Sequence, residues 1–393
     1  MPSSFKEDLK KFLRDDQFSD AAGTILCYST DASGIERRPL GVLWPENAEQ
    51  VSKIIILANE YKVPITPRGG GTSLVGSAVP IDSIVVDLSR MKTIHGIIVM
   101  GGGEKKEFNC IVDAGVTIAE LNEYLKKDDL YFPVIPSSHK VCTIGGVIST
   151  NAAGNRAIKY GKAEKWVEEI DFVDGSGEII KISDIKDICG KEGLLGIITR
   201  AKLKITKLPR DTTMDIFEFE NIEEMMEKLT QITWENILSV EIINKKAGEY
   251  VGLKHTLFVE YLGNSGKIEG KEMAEVWAKR EGIYAVCAKN GYPLICDPQI
   301  PAGKLKTFVK WADNKNLPIF GHAGIGIIHV LAPENNYQLL DEVIQMSIEL
   351  GGEVSGEHGI GIVKSNFVKE NALIKKLKKR YDPENIMNRG KMI

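Results

Sequence analysis

The stretch that most constrains this chain is Pro67 to Pro80, PRGGGTSLVGSAVP. Gly69, Gly70 and Gly71 follow Val63 to Thr66, a short apolar segment that predicts a strand. Glycine admits positive φ and lets a ligand approach where a Cβ would stand. Successive N–H groups in such a turn form a concavity for an anion. The hydroxyls of Thr72, Ser73 and Ser77 add donors. With Pro67 and Arg68 ahead of the turn and Gly76 within it, the stretch suits a diphosphate. A tight turn with no ligand has the same composition, because glycine clusters are common punctuation.

A second small-residue stretch, PSSHKVCTIGGVISTNAAGNRAIKYG, runs from Pro136 to Gly161. It contains Ser137, Cys142, Thr143, Gly145, Gly146 and Ser149, then Asn151, Gly154 and Tyr160. A third, EGLLGIIT, runs from Glu192 to Thr199 and contains Gly196, Ile197 and Ile198. In this order the three resemble the FAD domain of the vanillyl-alcohol-oxidase, or PCMH-type, FAD-linked oxidases. Within that family the glycolate oxidase FAD subunit and the D-lactate dehydrogenases are most similar. The resemblance runs over nearly the whole chain. It implies an α+β fold, with a two-subdomain PCMH-type FAD-binding domain and a smaller α+β cap domain. It also implies that all three stretches contact FAD. The closing RYDPENIMNRGKMI resembles the family's F-D-P-x-x-x-L-N-P-G-K. Asp382, Pro383, Asn388, Gly390 and Lys391 match, Arg389 stands where proline is usual, and Asn388 joins the cofactor set. Family members that attach FAD covalently often carry histidine where this chain has Thr72, so non-covalent FAD is implied.

A chain of 393 residues is too long for one ordinary core. The expected division is an FAD domain over 1–208, a cap over 209–363, and a segment over 364–393 that returns to the FAD domain. With 43% hydrophobic and 26% charged residues the chain is globular, and a net charge of −4 argues against a nucleic-acid partner. The N-terminal SFKEDLKKFLRDD is too charged for a signal peptide, and no apolar run reaches membrane-spanning length. The six cysteines form no C-x-x-C pair, which argues against an iron–sulfur cluster or zinc ribbon and suits a reducing cytoplasm. Peripheral attachment to a membrane would then come through a partner. The run KKLKKR, Lys375 to Arg380, reads as the solvated face of a helix, with docking as the alternative.

Residues 4 to 17 predict a short helix. Asn47 with Gln50, and Thr117 with Glu120, have the spacing of capping boxes. Val51, Ile54, Ile55, Ala58 and Tyr61 follow a helical period. Gly101 to Gly103 predict a hairpin turn, since no helix follows as a phosphate loop would need. Asp174 to Gly177 predict another. From about residue 212 strands and helices mix in an α+β pattern, with no strand–GxGxxG–helix unit for NAD. In the family this region covers the flavin. The Gly263 to Lys271 bridge makes it shorter than usual.

Oxidising an alcohol onto a flavin calls for a proton acceptor or metal, and for a cation if the substrate is an acid. His322 and His329 lie in FGHAGIGIIHV, and Glu357 and His358 in SGEHGIG. Seven residues apart, the histidines face opposite sides of a straight strand. They converge only if the chain bends, which Gly324 and Gly326 permit. With Glu357 they would make a two-His-one-carboxylate site for a divalent ion such as zinc, manganese or iron. The related G-H-x-G-D-G-N-x-H and S-G-E-H-G-x-G motifs supply a metal site and a catalytic histidine, implying His358 as the base. Here Ile325 and Ile327 replace the motif's aspartate and asparagine, removing polar groups that orient metal ligands. Arg280, in WAKRE, matches the family's arginine for a substrate carboxylate; on periodicity alone it is one charge on a charged helix.

The expected function is FAD-dependent oxidation of a small 2-hydroxy acid of the glycolate or D-lactate type. Hydride would pass to flavin N5, and electrons would leave to an iron–sulfur or flavoprotein subunit. The alternatives are a flavin-carrying subunit with little substrate chemistry of its own, and an FAD enzyme for another alcohol.

Overall fold

The computed structural model describes residues 1–102, 106–368 and 372–392. The chain forms two compact units. The first contains Met1–Ala152, Lys162–Leu208 and His358–Ile393; the second contains Ala153–Gly161 and Pro209–Glu357. The sequence placed 153–161 in the FAD domain and 358–363 in the cap. Two contacts explain the difference. Arg156 pairs with buried Glu260 of the second unit, Nε to Oε2 at 3.0 Å and Nη2 to Oε1 at 2.6 Å. Ile360 and Gly361 donate their N–H groups to Glu192 of the first unit.

The first unit holds two sheets. In the smaller, strands Val42–Leu43 and Ile65–Arg68 run parallel to Ile84–Asp87, and Phe18–Ser19 pairs with Val42–Leu43. Helix Ala48–Tyr61 buries Val51, Ile54, Ile55 and Ala58 in this sheet's core. Asn47 caps it through Gln50 N–H at 2.9 Å, but the Gln50 carboxamide accepts from Glu46 N–H instead, so the reciprocal half of the expected box is absent. The N-terminal helix is shorter than expected, Ser3–Leu9. Gln17 is fully buried and donates to Trp44 O, which needs a turn and not a continuing helix at Asp15–Gln17.

The larger sheet is antiparallel, ordered Ile94–Met100, Glu107–Asp113, Gly196–Lys207, Val167–Asp174, Ile179–Ile182. Met100 faces Glu107 across the expected first hairpin, whose Gly103 lies outside the described residues. The second hairpin also forms, with Asp174 Oδ1 accepting from Ser176 N–H and Glu178 N–H. Thr117 and Glu120 make both halves of their box at the start of helix Ile118–Leu125.

The second unit is a six-stranded antiparallel sheet ordered Thr212–Phe219, His255–Leu262, Ile237–Ile243, Ile319–His322, Ile327–Ala332, Leu294–Cys296. Helices Ile222–Thr230, Gly270–Lys289, Leu305–Asn314 and Tyr337–Glu349 belong to the same unit. The mixed α+β class is therefore observed in both units.

Candidate functional site

In the first unit the two glycine stretches pack on each other. A Cβ on Gly69 would lie 2.2 Å from Thr143 Oγ1, and one on Gly70 2.1 Å from Val141 O. These two glycines thus serve the contact between loops. Gly71, at φ +65°, turns the chain. Among the described residues, the backbone N–H groups of Gly70, Gly71, Thr72, Ser73 and Leu74 have no protein acceptor. Five consecutive free donors in a half-buried turn are the donor set a diphosphate needs, so the loop fits FAD.

The hydroxyls are used differently from expectation. Ser73 Oγ accepts from Val75 and Ser77 N–H, within its own loop. Ser77 Oγ donates to the Glu192 carboxylate. Glu192 is buried, and that burial raises its pKa. It also accepts from Ile360 N–H at 2.6 Å and Gly361 N–H at 2.9 Å, tying the returning segment to the glycine loop. Asn388, fully buried, donates to Ser77 O and Glu192 O. Glu192 and Asn388 therefore stand behind the loop as its support. Arg68 is likewise committed to structure: it donates to Thr30 O at 2.8 Å and lies 5.2 Å over the Tyr28 ring. Asp31, in the leading loop, accepts from Ala78 N–H.

Buried Lys391 completes this support, donating to Ser77 O at 2.9 Å and Asn388 Oδ1 at 2.5 Å. Burial pushes its ammonium from 10.5 down to about 7, against the opposing pull of Asp31 and Glu192. The unfolded chain keeps that proton up to its ordinary value, so between the two values the folded state binds fewer protons. Stability gains as pH rises through that window. Relative to Lys391→Met, the wild-type chain is expected to gain about 1 kcal/mol per pH unit above pH 7, read from denaturant midpoints. A difference that stays flat from pH 7 to 10 would count against a depressed lysine.

In the second stretch, Thr143 caps helix Ile144–Thr150 by accepting from Gly146 N–H. Gly145 lies against Ala114, and Asn151 ends the helix at φ +49°. Ser149 O accepts from Glu192 N–H, joining the second and third stretches. Burial pushes the Cys142 thiol up to about 11 and leaves it a packed apolar group. Pro136 O accepts from His139 N–H, and Ser137 beside it is exposed. Gly196, Ile197 and Ile198 are interior strand positions, where a Cβ on Gly196 would lie 2.2 Å from Val173 O. Gly154, Tyr160 and Gly161 belong to the second unit.

The second unit brings the metal candidates together. A 3-10 turn, Ala323–Ile325, and Gly326 at φ +73° fold the histidine segment into a hairpin. Phe320 faces His329 and His322 faces Ile327, so both histidines fall on one face as diagonal neighbours. Glu357 reaches the same point: Oε1 lies 3.3 Å from His329 Nε2, and Oε2 lies 3.6 Å from His322 Nε2. The candidate ligand atoms of the three residues all lie within 4.8 Å of one another. This nitrogen–oxygen set suits a divalent cation such as zinc, manganese or iron.

Two acids that sequence reasoning missed frame this cluster. Glu241, fully buried, is the cross-strand partner of His322, with Oε1 at 2.6 Å from His322 Nδ1. Asp297, also fully buried, accepts from Glu357 N–H at 2.8 Å and Gly356 N–H at 3.1 Å, fixing the backbone that carries the carboxylate. Each is a lone charge beside an apolar strand run, ILSVEII and LIC-D, and a charge there needs a buried partner. That was the available signal. The polar support that Ile325 and Ile327 no longer provide thus comes from elsewhere in the unit. Ile327 packs with Ala153 and Ala157. Burial alone would lower the His322 pKa, but the Glu241 and Glu357 carboxylates outweigh it and raise the ring to about 9. Negative charge at the cluster therefore favours a cation.

Arg280 is 2% exposed. Its Nε donates to Glu241 Oε2 at 2.8 Å, and Nη2 lies 2.5 Å from the same oxygen. His358 opens the returning segment of the first unit, half-buried. In the last helix, Ala372–Tyr381, Lys378 of the basic run is buried against Asp382, while Lys375, Lys376, Lys379 and Arg380 are exposed.

Residues 39–183 match the family model described as "FAD binding domain", and residues 260–392 match "FAD linked oxidases, C-terminal domain". The chain is 27% identical to the glycolate oxidase subunit GlcD of Bacillus subtilis, covering 98% of this chain and 96% of that protein. It is 28% identical to a D-lactate dehydrogenase of Archaeoglobus fulgidus, covering 90% and 91%. Among solved structures, an alkyldihydroxyacetonephosphate synthase shares the fold with a TM-score of 0.74 at 19% identity, over 99% of this chain and 84% of that one. The free-donor glycine loop lies in the first matched region and the His–His–Glu cluster in the second, and the chain belongs to the FAD-linked oxidases.

Proposed function

We propose that this protein oxidises the hydroxyl carbon of a small 2-hydroxy acid of the glycolate or D-lactate type. The observation that carries this reading is the convergence of His322, His329 and Glu357 in a chain with an FAD-binding domain. FAD, held non-covalently at the glycine loop, supplies a two-electron acceptor. A divalent cation on His322, His329 and Glu357 supplies positive charge for the substrate's oxygen. His358 takes the hydroxyl proton. Arg280 donates its Nε to Glu241, so a substrate carboxylate would meet its Nη1–Nη2 edge. Relatives named glycolate oxidase subunit and D-lactate dehydrogenase support the substrate class.

Electrons pass on to an iron–sulfur or flavoprotein subunit, as the word "subunit" in one relative's name suggests. No helix among the described residues is long and apolar enough to cross a membrane, and we place the protein in the cytoplasm. The test is anaerobic mixing of the yellow protein with 2-hydroxy acids of both hands. Bleaching by one hand of a short acid is expected. A flavin that no 2-hydroxy acid bleaches, but that dithionite reduces, would end the substrate assignment.

A further inference from the structure

Arg280 carries no metal-ligating atom, yet it is linked to both histidines, to each through one intermediary. Glu241 accepts from His322 Nδ1 through one oxygen and from Arg280 through the other. The Arg280 guanidinium also lies 4.7 Å over the Phe320 ring. Phe320 in turn packs on His329, with ring centroids 4.7 Å apart at 36°. One buried guanidinium therefore braces His322 through Glu241 and His329 through Phe320. A carboxylate on Nδ1 selects the tautomer that leaves Nε2 free as a ligand, and His322 Nε2 is the nitrogen facing Glu357.

We infer that Arg280, Glu241 and Phe320 form a frame that sets His322 and His329 in position for a divalent cation, with Arg280 acting as a positioning residue. The inference rests on the cation reading above. A ligand set held by packed and hydrogen-bonded neighbours binds without paying for its own ordering, and loosening such neighbours typically weakens metal affinity 10–100-fold.

The test is cobalt(II) titration of the flavin-loaded protein, read from the cobalt d–d bands and by equilibrium dialysis. Glu241→Gln and Arg280→Met are expected to weaken cobalt binding about 10–100-fold, with flavin content unchanged. Phe320→Leu keeps every charge and should weaken binding about tenfold. It provides the readout if either charge variant fails to fold. A wild-type protein with no cobalt bands would remove the cation reading and this inference with it. Wild-type and variant proteins that bind cobalt equally tightly would remove the frame alone.

Discussion

Replacing His358 with alanine is expected to stop flavin reduction by substrate while leaving FAD bound. Loss of a general base typically costs about 10²–10⁴ in rate. FAD should stay because the glycine loop is supported by other groups: Glu192 on Ser77 Oγ, Asn388 and Lys391 on Ser77 O, and Asp31 on Ala78 N–H. Anaerobic stopped-flow bleaching measures the first effect and the flavin-to-protein ratio the second. Reduction at the wild-type rate would end the assignment of His358 as the base. Loss of flavin would show that His358 also supports the loop.

His322→Ala and His329→Ala are expected to cost as much activity as His358→Ala, and a chelator should mimic them. Both remove nitrogen ligands from a cluster whose atoms already lie within 4.8 Å of one another. The two should differ in stability. His322→Ala strips one partner from buried Glu241, and breaking a buried charged pair typically costs about 3–5 kcal/mol; the remaining Arg280 contact should hold the loss toward the lower end. His329 packs on Phe320 and its loss should be smaller. Metal analysis, turnover and thermal melts on both variants decide the matter. Mild effects on turnover with no bound ion would favour the rival reading, a flavin-carrying subunit with little chemistry of its own. The apolar packing of Ile327 on Ala153 and Ala157 is what keeps that rival in view.

Features that depend on neighbours in sequence were legible before the fold. The Thr117–Glu120 box, the Asp174 hairpin and the turn at Gly71 are local events, set by side chains three or four residues apart or by one backbone angle. The tight packing of the three glycine-containing stretches was legible for a related reason. Close approach of a neighbouring segment leaves no room for a Cβ, and the glycines at 69, 70, 145 and 196 record that constraint in the residue type itself. The histidine pair was legible conditionally, since Gly324 and Gly326 allowed the bend that the hairpin makes.

Tertiary structure alone decided what surrounds those residues. Glu241 meets His322 because strand Ile237–Ile243 pairs with Ile319–His322 in one register out of several. That choice is made by burial of whole strand faces and leaves no mark near either residue. Asp297 holds Glu357 across 60 positions for the same reason. Glu192, Asn388 and Ser77 looked like cofactor ligands because they lie in cofactor motifs, yet Ser77 Oγ donates to the Glu192 carboxylate and the Asn388 amide donates to the backbone oxygens of both. Sequence proximity to a site places a residue in its neighbourhood; whether its polar atoms face the ligand or the scaffold depends on which buried donors need an acceptor, and that is settled only when distant segments pack together.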